Sequence, residues 1–431
     1  MRGVRTRRVS IPALLVLGCV GFAHGQEPAP ERDHDRQPAT ANTERTYESL
    51  LHPDSVRRRI ESGQAERDAL LPGGPFDVIV PRWRGLNESL EESVGLELGL
   101  AYTVLYQSTF GAAGDSPAAG GDLDLHGHWT FFESDEGEHQ GTLVFALEYR
   151  HQIGDRTPAA LSEQYGGLGE SAFEFDEISF SLAEFFWEQR LFDEAVVVSI
   201  GKLFPETLYN TNRLSNQNTS FVHSAFATNI ARSIPEEGLG ANVVIKPHDS
   251  WYASLGVHDV HGEVETGDFR HLDEGDTSAV IEFGLTPHFE NGGRGNYRFT
   301  AWATDPREDR DRESDTGFAL SFDQSLGEHA TVFARYSTAR ADWVEADHVL
   351  AGGVGFTGIL GRPDDFVGLA FGWTSPRESE LREEYVSEAL YRVQLTDVQQ
   401  LSAGLQLIFD PAESTDDDVV AVFEARWRVA F

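Results

Sequence analysis

From about residue 93 to the last residue, the chain repeats one pattern, in which apolar and polar side chains alternate. In the final segment Val419, Ala421, Phe423, Ala425, Trp427, Val429 and Phe431 fall on one face. Val420, Val422, Glu424, Arg426, Arg428 and Ala430 fall on the other. Period two marks a strand, whose successive side chains point to opposite sides. Sixteen such segments are read, at 94–107, 121–132, 140–151, 173–182, 195–203, 238–246, 250–258, 278–287, 295–305, 316–325, 329–338, 348–360, 365–374, 387–395, 398–409 and 418–431. After residue 25 no apolar run reaches the roughly 18 residues that a membrane helix needs.

The connections sort into two kinds. Long ones span 108–120, 152–172, 204–237, 259–277, 306–315 and 375–386, and they alternate with short ones such as 246–250, 325–329, 361–365 and 395–398. Bacterial outer-membrane barrels keep this asymmetry, with brief periplasmic turns, longer external loops and an even number of strands. A soluble β-sandwich or propeller has no reason to keep it. The pattern predicts an all-β fold: a transmembrane antiparallel β-barrel of about 16 strands over residues 81–431. A closed barrel also explains the aromatic C-terminus, because the last strand pairs with the first and Phe431 is tied down. Outward apolar side chains then meet lipid, with Trp427 and Phe431 at the interface.

Upstream the character changes. Residues 1–25 join an arginine-rich start to a short apolar run and read as a secretory signal peptide. The rival, a lipoprotein site ending at Cys19, matches only in part. Cleavage after residue 25 removes the only cysteine, and with it any disulfide. Residues 26–80 are expected to form a periplasmic N-terminal arm, disordered at first and then carrying one short helix. Asp54 or Ser55 would cap that helix and Gly73-Gly74 would stop it.

The 71 acids outnumber the 34 bases. Such a surface does not suit nucleic acid, whose phosphates call for basic partners. The acid runs fall mostly in connections, where they disfavour anions at the mouth and could hold divalent cations against lipopolysaccharide.

Several stretches resemble the carbohydrate-selective porin (OprB-like) family: "RWRGLNESLEESVGLELGLAYT", "SIGKLFPE", "NQNTSFVHSAF" and, most closely, "EEYVSEALYRVQLTDVQQLSAGLQLIFDP". Together they cover the chain from about Arg82 to Phe431. The chain departs from the family in lacking a Gly-Asp-Trp-Gly-Gly opening, and Phe204 stands where an Asp is expected. The resemblance implies a monomeric or homotrimeric outer-membrane channel for sugars, without cofactor, and Phe431 resembles the signal read by the barrel-insertion machinery.

A porin makes no bonds; it sets a diameter, a lining and a field. The longest connection, 204–237, is poor in charge and rich in Asn, Ser, Thr and aromatic residues. Amides and hydroxyls exchange hydrogen bonds with sugar hydroxyls, and aromatic faces cover sugar C–H patches. This loop is therefore the candidate constriction, through Tyr209, Asn210, Asn212, Arg213, Asn216, Asn218, Phe221 and His223. Alternation points Glu148, Arg150, Arg298, Arg335, Arg392, Arg426 and Arg428 into the lumen, with Glu282, Glu388 and Glu424. Together they would form a polar ladder, or salt bridges that stiffen the wall. His126 and His128 point inward too, but with no third ligand placed beside them no metal is expected. Passage of small neutral carbohydrates is the favoured function. The alternatives are a general diffusion porin without sugar preference and, less favoured for want of a Gly-x-Ser-x-Gly element, a barrel enzyme.

Overall fold

The computed structural model of the protein describes residues 47–110, 117–134, 138–265, 275–289, 293–341, 343–415 and 417–431. The expected leader, Cys19 and the charged stretch of 26–46 lie outside the described residues. The wall consists of β1 (Leu96–Phe110), β2 (Pro117–Glu133), β3 (His139–Gln152), β4 (Ile178–Leu191), β5 (Val196–Leu203), β6 (Gly238–His248), β7 (Trp251–Asp259) and β8 (Thr277–Leu285). After the two-residue β9 (His288–Phe289) it continues through β10 (Gly293–Thr304), β11 (Asp315–Leu326), β12 (Ala330–Ala339), β13 (Ala346–Thr357), β14 (Phe366–Pro376), β15 (Glu384–Gln394), β16 (Gln399–Phe409) and β17 (Val419–Ala430).

Sixteen strands close an antiparallel barrel, with β9 a small extension beside β10. The seam joins β1 to β17, from Ala101 opposite Ala430 to Phe110 opposite Ala421. Phe431 N–H donates to Leu100 O at 2.8 Å, and Leu100 N–H donates to Phe431 O at 3.2 Å. Closure satisfies backbone groups that would each cost several kcal/mol unpaired in hydrocarbon. Outward side chains such as Leu255, Ile281, Phe283, Leu320, Phe371 and Leu405 stay exposed, whereas inward polar ones such as Asp124, Ser199, Glu282 and Glu388 are buried. Short turns gather at one end. In the turn from β11 to β12, Gly327 adopts φ 67°, which a tight reversal needs and glycine meets without strain.

The fourth strand departs from expectation. It runs from Ile178 to Leu191, not over 173–182, and Phe173–Phe175 form a single 3-10 turn. The register with β3 shifts between Leu182 and Glu184. Ser181 and Ala183 face inward before this bulge, and Glu184, Phe186, Glu188 and Arg190 face inward after it. The extra residue inverts the phase, and an alternation count loses the strand there.

Two helices precede the barrel, α1 (Val56–Gln64) and α2 (Val80–Val94). Residues 47–64, part of the expected N-terminal arm of 26–80, lie within the barrel, where Arg59 meets Asp124 on the inner face of β2. Ile60 of α1 is fully buried and approaches Gly99 on the inner face of β1. Gly63 passes so close to the Phe431 carbonyl that a Cβ there would lie 2.6 Å from its oxygen. The chain then crosses beneath the turn joining β15 to β16, with Leu70 and Leu71 N–H donating to the carbonyls of Gln394 and Leu395 at 2.9 and 2.8 Å. Helix α2, which the alternation does not reveal, lies against the seam. Phe76 just before it and Trp83 on it set their rings 5.7 and 6.2 Å from that of Phe431. The Asn87 amide brackets the backbone of Leu98 at 2.7 and 3.2 Å.

Candidate functional site

The segment 204–237 folds into the lumen, and the inward charges of the wall hold it there. Wall acids take its N–H groups: Glu282 accepts from Asn210 N–H at 2.6 Å, and Glu388 accepts from Val222 and His223 N–H at 2.8 and 3.0 Å. Wall arginines take its carbonyl oxygens. Arg298 donates to Thr211, Arg392 to Thr219, Arg426 to Gln217 and Ser220, and Arg335 to Ala225 and Phe226. An irregular backbone inside a barrel has no ladder to satisfy it, so charged side chains take the ladder's place.

The eight loop residues singled out from sequence all face protein. Tyr209 Oη bonds Asn242 and His258 at 3.0 Å each. Arg213 pairs with Asp323 and donates to Ser325 Oγ at 2.7 Å, close to the short-turn end. Asn216 donates to Asp54. Asn218 donates to Asp122 and Glu174 at 3.2 and 3.0 Å. Phe221 is fully buried among Phe226, Phe333 and Phe366. Both side-chain ends of Asn210, Asn212 Nδ2, Asn218 Oδ1 and His223 Nε2 have no hydrogen-bond partner among the described residues.

On the wall, Arg150 reaches Glu148 at 3.0 Å and Asp122 at 3.8 Å, and Arg428 donates to Thr103 Oγ1 at 2.8 Å. His126 and His128 approach Arg59 and Arg57 of α1, both at 3.4 Å. Among the described residues no group of three or more His, Cys, Asp or Glu could hold a metal.

The N-terminal segment forms the other side of this assembly, which sequence reasoning missed. Arg59 joins Asp54 at 3.2 Å and Asp124 at 2.9 Å. Asp54 N–H donates to His52 Nδ1 at 3.0 Å, so Nδ1 carries no proton and Nε2 donates to Ser215 Oγ at 2.5 Å. Burial, helped by the nearby Arg298 charge, holds the His52 pKa well below its usual value. His52 is therefore neutral and makes no ion pair with Asp54.

Above the loop, toward the long connections, opens a cavity of about 560 Å³. His52 and Asp54 line it from the N-terminal segment. Glu170, Phe173, Glu174 and Asp176 enter from the β3–β4 connection, and Glu206, Ser224, Asn229 and Arg232 from the inward loop. Arg312, Trp343 and Glu345 complete it from two further connections. Of the constriction and lumen-wall residues singled out from sequence only Arg150 lines it. Burial raises the pKa of Glu170 to about 7, with Asp176 and Glu345 adding repulsion. Burial likewise raises Glu174 to about 8, reinforced by Asp54, and Glu237 to about 8, reinforced by Glu148. The acids at 170–177 and 236–237 were visible as charge flanking two connections, but nothing local showed that they meet.

Residues 139–431 match the sequence model of the family described as "Carbohydrate-selective porin, OprB family". Two structures of Pseudomonas putida OprB resemble the fold. The high-pH structure has a TM-score of 0.69 at 15% identity, covering 81% of this chain and 97% of that one. The low-pH structure has a TM-score of 0.53 at 14% identity, covering 82% and 98%. At such identities the likeness concerns the fold. No curated protein matches the sequence.

Proposed function

Because the chain belongs to the carbohydrate-selective porin (OprB) family, we propose that it lets small neutral sugars diffuse passively through a water-filled channel across the bacterial outer membrane. The observation that carries this reading is the inward loop, fastened on both its N–H and its carbonyl sides to wall charges. A loop held so firmly can act as a fixed constriction, and a fixed opening discriminates by fit.

In this reading Tyr209, Asn210, Asn212, Arg213, Asn216, Asn218, Phe221 and His223 set the constriction. Asn210, Asn212, Asn218 and His223 are buried, so in this reading they shape the opening by packing the loop rather than by touching the solute. Arg298, Arg335, Arg392 and Arg426 hold the loop, and with Glu148, Arg150 and Arg428 they line the wall. Lipid and lipopolysaccharide surround the apolar belt of a monomer or homotrimer. Phe431 is the residue that the insertion machinery reads.

Liposome swelling tests the proposal, comparing neutral sugars with anions and amino acids of equal size. Faster swelling in the sugars is expected. Equal permeation by all three would remove the preference and favour a general diffusion porin. No swelling at all would remove the channel.

A further inference from the structure

The cavity above the loop is not neutral. Ten of its lining residues are acids and three are arginines, and the acids still outnumber the arginines at neutral pH with Glu174 and Glu237 protonated. Each arginine already has company. Arg150 pairs with Glu148 and Asp122, Arg232 pairs with Glu206 at 2.9 Å, and Arg312 lies 4.6 Å from the centre of the Trp343 ring. The carboxylates of Glu170, Asp176 and Glu345 have neither a hydrogen-bond nor an ion-pair partner among the described residues, and those of Asp176 and Glu345 raise the pKa of Glu170. No ion pair among the described residues meets this repulsion.

Two further observations point to a polyol. Ser224 Oγ and Asn229 Nδ2 are buried, line the cavity and have no hydrogen-bond partner among the described residues. Phe173 and Trp343 line the same space and offer apolar faces, as the C–H side of a sugar ring requires. The acids are too dispersed for metal chelation among the described residues, and their field suits a monovalent organic cation. We infer that this cavity is a selectivity vestibule for amino sugars, favouring an ammonium-bearing polyol over a neutral sugar, and a neutral sugar over a sugar acid. The inference rests on the channel reading above and adds a charge rule to it. A cleft lined by one sign of charge concentrates counter-charged solute, and salt screens the effect.

The test is uptake of labelled glucosamine, glucose and glucuronate into proteoliposomes holding the full chain, at neutral pH in low and high salt. The expected order is glucosamine, glucose, glucuronate, with about tenfold between the extremes at low salt and a narrower spread at high salt. In a Glu170→Gln/Glu345→Gln variant that still shows the folded barrel's heat-modifiable band, the glucosamine-to-glucose ratio should fall toward one. Glucose uptake with glucosamine no faster would overturn the vestibule and leave the channel standing. Failure of glucose to enter would overturn the channel reading, and the vestibule with it. An unchanged ratio in the folded variant would overturn the assignment to this cavity.

Discussion

Arg426 offers the sharpest test of how the inward loop is held. Its guanidinium donates through both terminal nitrogens to Ser220 O at 3.1 Å and also reaches Gln217 O. Truncation to alanine leaves two carbonyl oxygens of the loop without their charged donor. At about 1.5–3 kcal/mol for each hydrogen bond to a charged group, the local docking loss is about 3–6 kcal/mol. That shifts the balance between docked and undocked 217–220 by a factor of roughly 10² to 10⁴. The remaining ties at Asn210, Arg213, Val222 and His223 keep the rest of the loop in place. Single-channel recording in planar bilayers should therefore show larger, noisier openings for Arg426→Ala than for wild type, with the barrel intact. Arg426→Lys should fall between them, because a single ammonium lacks the planar fork that spans both carbonyls. Conductance and noise equal to wild type in Arg426→Ala would refute the idea that wall arginines fasten the loop.

Other outcomes follow from the same geometry. Arg59→Ala leaves Asp124, fully buried, without its cation, and should destabilise the barrel by about 3–5 kcal/mol. The unfolding temperature in detergent measures this. Gly63→Ala pushes a methyl toward the Phe431 carbonyl and should cost about 1–3 kcal/mol in the same assay. Glu170, Glu174 and Glu237 have pKa values raised to about 7, 8 and 8, so each stays protonated until the pH passes that value. Negative charge on the cavity wall therefore grows from about pH 6 to about pH 9. Cation preference, read from the reversal potential in a potassium chloride gradient, should rise across that window. A flat profile would contradict the assignment.

The barrel was legible because its wall obeys a single rule. Inward residues such as Glu388 and Arg426 and outward ones such as Leu405 and Phe423 alternate without interruption on β15 to β17. The rule failed where one residue was added, at the bulge near Ala183, and it was blind to α2. There Val80, Trp83, Leu90 and Val94 follow helical spacing just before Leu96 opens β1. The position of α1 could not be read locally, because Arg59 meets Asp124 only once β2 has formed. The loop shows a similar limit. Its composition pointed inward, but an irregular backbone has no period to tell Asn216, bonded to Asp54, from Ser224, which faces the cavity.

The most direct measurement of the central claim is the ionic current of the purified full chain in a planar bilayer as a neutral hexose is titrated in. A solute pathway narrowed by 204–237 predicts stepwise insertion of conducting units whose current the sugar lowers reversibly, beyond the fall in bulk conductivity. A chain that inserts no conductance, or a current that follows bulk conductivity alone, would contradict it.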